Sequence, residues 1–417
     1  MIDGIFVGRY VGTEALAAVN LIYPLVAFAL GVSIMIGVGG ATVATTELGA
    51  GKIKMAQNTF TITLILISSF AIFITIIGSF FIDPLVSFLG AEETLKSNII
   101  EYLSVILGFF LFFMLTFVMD TFVRSDGNPT FSVIALVAAA LLNIFLDYTF
   151  IAKFNWGLTG AALATGLSQL VSIILLAGYL LMGNTRFKIV KPDFDLKKIK
   201  RLLFNGSSEL VNEMSVGIST FIFNLILISR FGSLGVAAYS VVGYGTMIII
   251  MIFIGIAQAT HPAISYNLGA GNLNRIKQFL RIGLIVNFVL GFIMFLILFF
   301  FAGDLATIFT NDSQELIDLT VIIGKRYSFA YLFSGANILI SMFFTSMHRA
   351  MDSIVIALSR SLIFILIGLA ILPKILGDNG IWLAVLFAEV MTFLVTLVLF
   401  KIKPLDERNI EAIKKLI

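Results

Sequence analysis

The sequence predicts an all-α polytopic membrane protein of two six-helix bundles, related by a pseudo-twofold axis along the membrane normal. Three observations predict it. Apolar residues make up 59% of the 417 and charged residues only 12%, where a soluble domain carries about 25% charged. Mean hydropathy is +1.06, and segments long enough to cross a bilayer, about 20 apolar residues each, recur along the whole chain. Finally, Leu48-Gly49-Ala50-Gly51 returns as Leu268-Gly269-Ala270-Gly271, Ala17-Ala18 as Ala237-Ala238, and Gly8-Arg9-Tyr10 is answered by Ser229-Arg230-Phe231. A duplicated apolar half is the plan of a transporter with two bundles.

The apolar segments run 15–46, 55–82, 97–123, 130–152, 157–183, 205–229, 234–266, 279–303, 316–347, 353–376 and 379–401, with a stub at 1–9. They are too long for the alternating ten-residue strands of a membrane barrel. Loops are short except 184–204, a polar and basic stretch between the repeat copies. This divides the chain into an N-lobe at 1–183, a linker at 184–204, a C-lobe at 205–402 and a tail at 403–417. Counting alternate loops, 20 of the 27 Lys and Arg fall on the side of the linker and C-terminus, Arg124, Arg349 and Arg360 among them, and seven on the other. By the positive-inside rule the linker and C-terminus are cytoplasmic. Both LGAG turns share that side, so the repeat is parallel. Overlaying the copies leaves only eight residues before Arg9, against about 20 for a spanning helix. The expectation is an N-terminally truncated first helix, with twelve helices in the native protein.

Cysteine is absent, which excludes disulfides, thiolate metal sites and cysteine nucleophiles. A net charge of +3 is no nucleic-acid signal. No cleavable signal peptide is recognisable at Met1-Ile2-Asp3-Gly4.

Ionisable residues at bilayer depth are costly and mark function. Asn143 and Asp147 lie four apart, on one helix face, where an amide oxygen beside a carboxylate suits a proton or Na⁺. A hydrated end charge near Lys153 is the other reading of Asp147. Asp3 stands within the apolar stub, six residues before Arg9, and is alternatively a simple terminal residue. Glu209 and Glu213 form a second i, i+4 pair. Helix-dipole complementarity accounts for Glu209, while the deeper Glu213 needs a partner or a proton. Gln258 and Asn267 flank His261-Pro262, where the proline kinks or ends the helix and the histidine is expected at the interface. Asp120, Arg124 and Asp126 read as a charge cluster at the cytoplasmic end. Glu389 has no basic residue near it in sequence.

With these residues the chain resembles the multidrug and toxic compound extrusion (MATE) transporters, most like the bacterial multidrug exporters, from residue 1 to about 400. The motifs are Asp3-Gly4-Ile5-Phe6-Val7-Gly8-Arg9, the paired LGAG turns, and Asn143 with Asp147 followed by Gly157-Leu158-Thr159-Gly160-Ala161-Ala162-Leu163-Ala164-Thr165. The resemblance implies two lobes around a central cavity and export driven by an ion gradient. It also implies a cation or proton site at Asp3, Asn143, Asp147 and Thr165, and an acidic residue early in the seventh helix at Glu209 or Glu213; with Gln258 these two are the candidates for substrate binding or coupling in the C-lobe. The stretch from Tyr331 to Thr345 has no acid, a departure from relatives that use one in the tenth helix.

The expected function is a secondary antiporter, not an enzyme, exchanging amphipathic and cationic organic compounds for H⁺ or Na⁺. No cofactor or metal beyond the coupling ion is expected. The expected partners are small-molecule substrates and the lipid bilayer; nucleic acid is not among them. A monomer in the cytoplasmic membrane is expected. A lipid-linked oligosaccharide flippase of the same superfamily is the alternative, disfavoured because the intramembrane charges are mostly acidic.

Overall fold

The computed structural model describes residues 2–88, 93–182, 185–309, 314–407 and 411. Asn184, at the start of the linker, and most of the tail beyond 407 lie outside them. Every regular element among the described residues is helical, as a bilayer requires of long apolar segments whose backbone groups must pair internally. The first half holds α1 (Ile2–Tyr10), α2 (Thr13–Gly49), α3 (Ile53–Phe80), α4 (Ile82–Phe88), α5 (Glu93–Ser125), α6 (Pro129–Asp147) and α7 (Gly157–Met182). The second holds α8 (Leu196–Ala270), α9 (Leu273–Phe309), α10 (Gln314–Ser328), α11 (Tyr331–Ser346), α12 (Ala350–Leu358), α13 (Phe364–Leu376) and α14 (Asp378–Ile402). Among the described residues nine helices are long and apolar enough to span a membrane, or ten if α10 and α11 form one bent span.

Three boundaries differ from the sequence expectation. The 316–347 segment is broken between α10 and α11 by a 50° bend. The linker ends early, because 196–204 already form the first turns of α8. Within α8 the helical path breaks at Gly232, with φ 61° and ψ −154°, and runs on through Pro262. Glycine tolerates that left-handed φ where a side chain would be strained, whereas the proline's missing bond is absorbed without a break. Two helices are interrupted by π-helical turns: Tyr148–Lys153 directly after α6, and Ser359–Ile363 between α12 and α13.

The chain forms two compact units, residues 1–44 with 52–206, and residues 45–51 with 207–417. In unit 1, α5 packs on α7 and α3, and α6 on α7. The linker is fastened to it: Phe187 is fully buried between Phe60 and Phe122, with ring centroids 5.8 and 5.0 Å away. Asn58 and Asp193 exchange hydrogen bonds of 2.9 and 2.8 Å. Asp126 accepts from the Arg186 amide at 2.9 Å and from the Tyr179 hydroxyl at 2.9 Å, so it stands apart from the Asp120–Arg124 pair. In unit 2, α13 packs on α14, and α9 on α10 and α11, around Phe253, Tyr331 and Trp382.

Each unit contains a very close helix crossing made by a pair of glycines. In unit 1, a Cβ on Gly39 would overlap the Leu202 carbonyl, and one on Gly206 the Met35 carbonyl. In unit 2 the two LGAG glycines do the same: Gly49 rests on the Tyr266 carbonyl and Gly269 on the Thr46 carbonyl. Small residues allow this backbone approach in membranes, where association relies on packing rather than on the hydrophobic effect. The repeat seen in sequence is thus a physical contact: the duplicated glycines meet each other's helices.

Candidate functional site

The acidic cluster of unit 1 is assembled from four helices. Asp3 comes from α1, which packs against α6, α7 and the π turn at 148–153. Thr165, two turns into α7, donates from Oγ1 to Asp3 Oδ2 at 3.1 Å. Asp147 ends α6 where the π turn begins and faces the Asp3 carboxyl. π turns often mark functional sites. Asp147 is 0% exposed, and neither of its oxygens has a hydrogen-bond partner among the described residues. Lys153 does not pair with it; its ammonium lies 5.7 Å over the Tyr148 ring. The reading of Asp147 as a hydrated end charge is therefore excluded by its burial.

Asn143, one turn before Asp147 on the same face, has a buried Nδ2 without a partner among the described residues. The structure adds Tyr102 of α5, buried against Thr165, Asp3 and Asp147. Nothing in the sequence singled it out, since it is one tyrosine in an apolar helix and only packing brings it to the acids. Tyr102 and Thr165 also line a cavity of about 70 Å³ with Ile106, Phe109, Gly166 and Gln169. That volume holds a few waters or a small ion, far below the roughly 300–1,000 Å³ of a drug-sized pocket. Isolated carboxylates in such a place are strongly disfavoured unless a proton or cation joins them. The cluster can therefore bind a small positive charge.

The C-lobe candidates are less concentrated. Glu209 accepts from Thr345 Oγ1 at 3.5 Å, at the edge of a hydroxyl cluster. Thr345 lies 3.1 Å from Ser208 and 2.9 Å from Ser353, and Ser353 lies 3.0 Å from Ser341. Glu213 is near Glu209 and beside Asn212, whose Oδ1 accepts from Ser361 at 2.8 Å. Gln258 is half-buried farther along α8. His261, expected at the interface, is 3% exposed.

Two further residues depart from the sequence expectation together. Arg360, counted with the loop cations, belongs to the π turn inside the 350–376 span. Its Nε donates to Glu389 Oε1 at 2.8 Å, and Asn337 Nδ2 donates to Glu389 Oε2 at 2.7 Å. The partner of Glu389 thus comes from another helix, beyond the reach of local sequence. Among the described residues there is no group of three His, Cys, Asp or Glu able to hold a metal ion.

A helical membrane protein with an internal repeat and a buried acidic cluster belongs to the class of multi-pass transporters. The family model described as MatE matches residues 1–149 and 210–369, and the chain belongs to that family of multidrug and toxic compound extrusion transporters. It is 29% identical over 396 residues to a protein of Shewanella oneidensis named FAD transporter, covering 92% of this chain and 85% of that protein. Identity to the multidrug export protein MepA of Staphylococcus aureus is 23% over 389 residues, with the same coverages. Among solved structures, a MATE transporter in the bent conformation shares 25% identity at a TM-score of 0.90, covering 99% of this chain and 91% of that one. A superfamily transporter from Pyrococcus furiosus, whose structure is described as having a binding pocket of reversed polarity, matches with the same TM-score at 24% identity.

Proposed function

We propose that the protein is a secondary antiporter that exports amphipathic organic compounds in exchange for H⁺ or Na⁺ by alternating access. The observation that carries this reading is Asp147, fully buried, without a hydrogen-bond donor and facing a second carboxylate. A proton or Na⁺ entering the Asp3/Asn143/Asp147/Thr165 cluster cancels charge that the surroundings leave uncompensated. Asp3 rides on α1, so its neutralisation alters how α1 packs on α6 and α7 and biases one state of the carrier over the other. Coupling requires ion and substrate to prefer different states, because a ligand with equal affinity for both shifts nothing. The loop-charge asymmetry supports a cytoplasmic C-terminus in the cytoplasmic membrane, with the monomer as the working unit.

The test uses full-length protein in liposomes with an imposed proton or Na⁺ gradient and a fluorescent organic cation. Asp147→Asn should abolish gradient-driven export, and collapsing each gradient in turn identifies the ion. Undiminished coupled export by the variant would overturn the assignment. A second reading of the substrate, an anionic dinucleotide, is favoured by the similarity to a protein named FAD transporter and by the arginine inside unit 2. Competition of FAD against the cation separates the two. The flippase alternative calls instead for transfer of a lipid-linked sugar in the same liposomes.

A further inference from the structure

Arg360 lies well inside its helix. At about 1.5 Å rise per residue it stands about 15 Å along the span that begins at Ala350, close to the middle of a hydrocarbon core about 30 Å thick. A charge at that depth costs about 2.5–3.5 kcal/mol by insertion scales and is rarely kept without a task. Pairing with Glu389 is only part of an explanation, since a purely structural buried pair is often replaceable by apolar residues at no loss.

The geometry of the pair is lopsided. Glu389 is sealed, its side chain 4% exposed and both oxygens occupied, by Arg360 Nε and by Asn337 Nδ2. Arg360 is the open member, its side chain 16% exposed. Of its five N–H groups only the one on Nε has a partner among the described residues, so the outer edge of the guanidinium fork is unused. A pair built for stability would engage that fork edge-on with the carboxylate. Here the carboxylate takes the inner nitrogen, and neither terminal nitrogen has a partner among the described residues.

The surroundings suit an organic molecule rather than a bare ion. Tyr327 lies beside both Arg360 and Glu389, with Tyr239 and Tyr331 next to it. Asn337 keeps a buried Oδ1 with no donor among the described residues, as does Thr392 Oγ1 one turn along α14 from Glu389. A guanidinium edge with no protein partner, aromatic rings and unfilled acceptors make a complementary setting for an aromatic acid with donors of its own.

We propose that Arg360 is the anion-recognition residue of unit 2, receiving a phosphate or carboxylate group of an aromatic transported compound while Glu389 holds the guanidinium from behind. This deepens the transporter reading by naming a substrate class, and it does not depend on which ion is coupled.

The test is equilibrium binding to purified full-length protein with no gradient, so failure of the antiport reading leaves it unaffected. The probes are FAD, a fluorescent nucleoside diphosphate and an aromatic carboxylate dye, with ethidium as the cationic control. At least one anion should bind wild type and lose tenfold or more in affinity in R360Q/E389Q, while ethidium binding is unchanged. The double substitution removes both charges and leaves no lone buried ion, and an unchanged melting temperature certifies its fold. A second double variant, R360K/E389Q, keeps one charge and serves if the first fails to fold; its anion affinity should exceed that of E389Q bearing Arg360→Met. The proposal is overturned if wild type binds none of the three anions, or if the folded variants bind anions as wild type does.

Discussion

The turn after α5 in unit 1 and the turn after α11 in unit 2 are closed by the same three backbone hydrogen bonds. Asp126, Gly127 and Asn128 donate to Phe122, Arg124 and Val123; Met347, His348 and Arg349 donate to Phe343, Thr345 and Phe344. The middle residue has positive φ in both, 99° at Gly127 and 55° at His348. This register makes Asp120, Arg124 and Ser132 the counterparts of Ser341, Thr345 and Ser353. The first set is charged: Asp120 accepts from both Arg124 and Ser132. The second does the same packing with hydroxyls alone, and Glu209 reaches it from α8. A fold repeat preserves backbone geometry and leaves each unit its own electrostatics. In unit 1 the paired charges sit in this turn and the unpaired acids at Asp3 and Asp147. In unit 2 the deep acid Glu389 is paired instead, by Arg360.

Four experiments test this contrast. The largest effect is expected at Asp147, where Asn should reduce gradient-driven export to the level of empty liposomes. R360Q/E389Q, which leaves no lone buried ion, should keep coupled export of the cation measurable; equal loss in both would erase the distinction between unpaired and paired acids. Next comes Arg124→Ala, which strands the buried Asp120 and should destabilise unit 1 by about 3–5 kcal/mol. The counterpart Thr345→Val removes hydroxyl bonds only, and about 1 kcal/mol per bond lost is expected. Melting of the two variants in one detergent checks the ranking, and similar losses would contradict it. Gly49→Leu should disrupt the LGAG crossing, because the added side chain meets the Tyr266 carbonyl; lower melting temperature and yield would follow, with Gly51→Ala costing only the strain of alanine at φ 76°, about 1–3 kcal/mol, since nothing lies within 4 Å of its Cβ position. The smallest effect belongs to Tyr102→Phe, which removes one hydroxyl from the acidic cluster and should shift the ion dependence of export while leaving maximal rate within a few fold.

Much of the site in unit 1 was legible before the structure. Asn143 and Asp147 are one helical turn apart, so the sequence alone puts them on one face. That they join Asp3 and Thr165 in one site is what the family resemblance implies; the structure has Thr165 bonded to Asp3 at 3.1 Å and Asp147 facing the Asp3 carboxyl. Tyr102 was invisible because its role depends on how α5 packs against α7. Arg360 was counted with the loop cations although it falls inside the 353–376 segment, and its neutraliser lies 29 residues away on α14. The linker's helical half and the bend between α10 and α11 were missed because apolar run length sets which segments span and says little about where backbone paths break.

The rough extent of the spans, the duplication and the candidate acids could be read from the sequence. Hydrophobic run length, i, i+4 spacing and identical motifs are local properties that need no partner. The tertiary structure alone decided which charges are neutralised and which are left bare. Burial and charge pairing depend on side chains from distant helices, and in a low-dielectric interior one such partner separates a structural ion pair from a working acid.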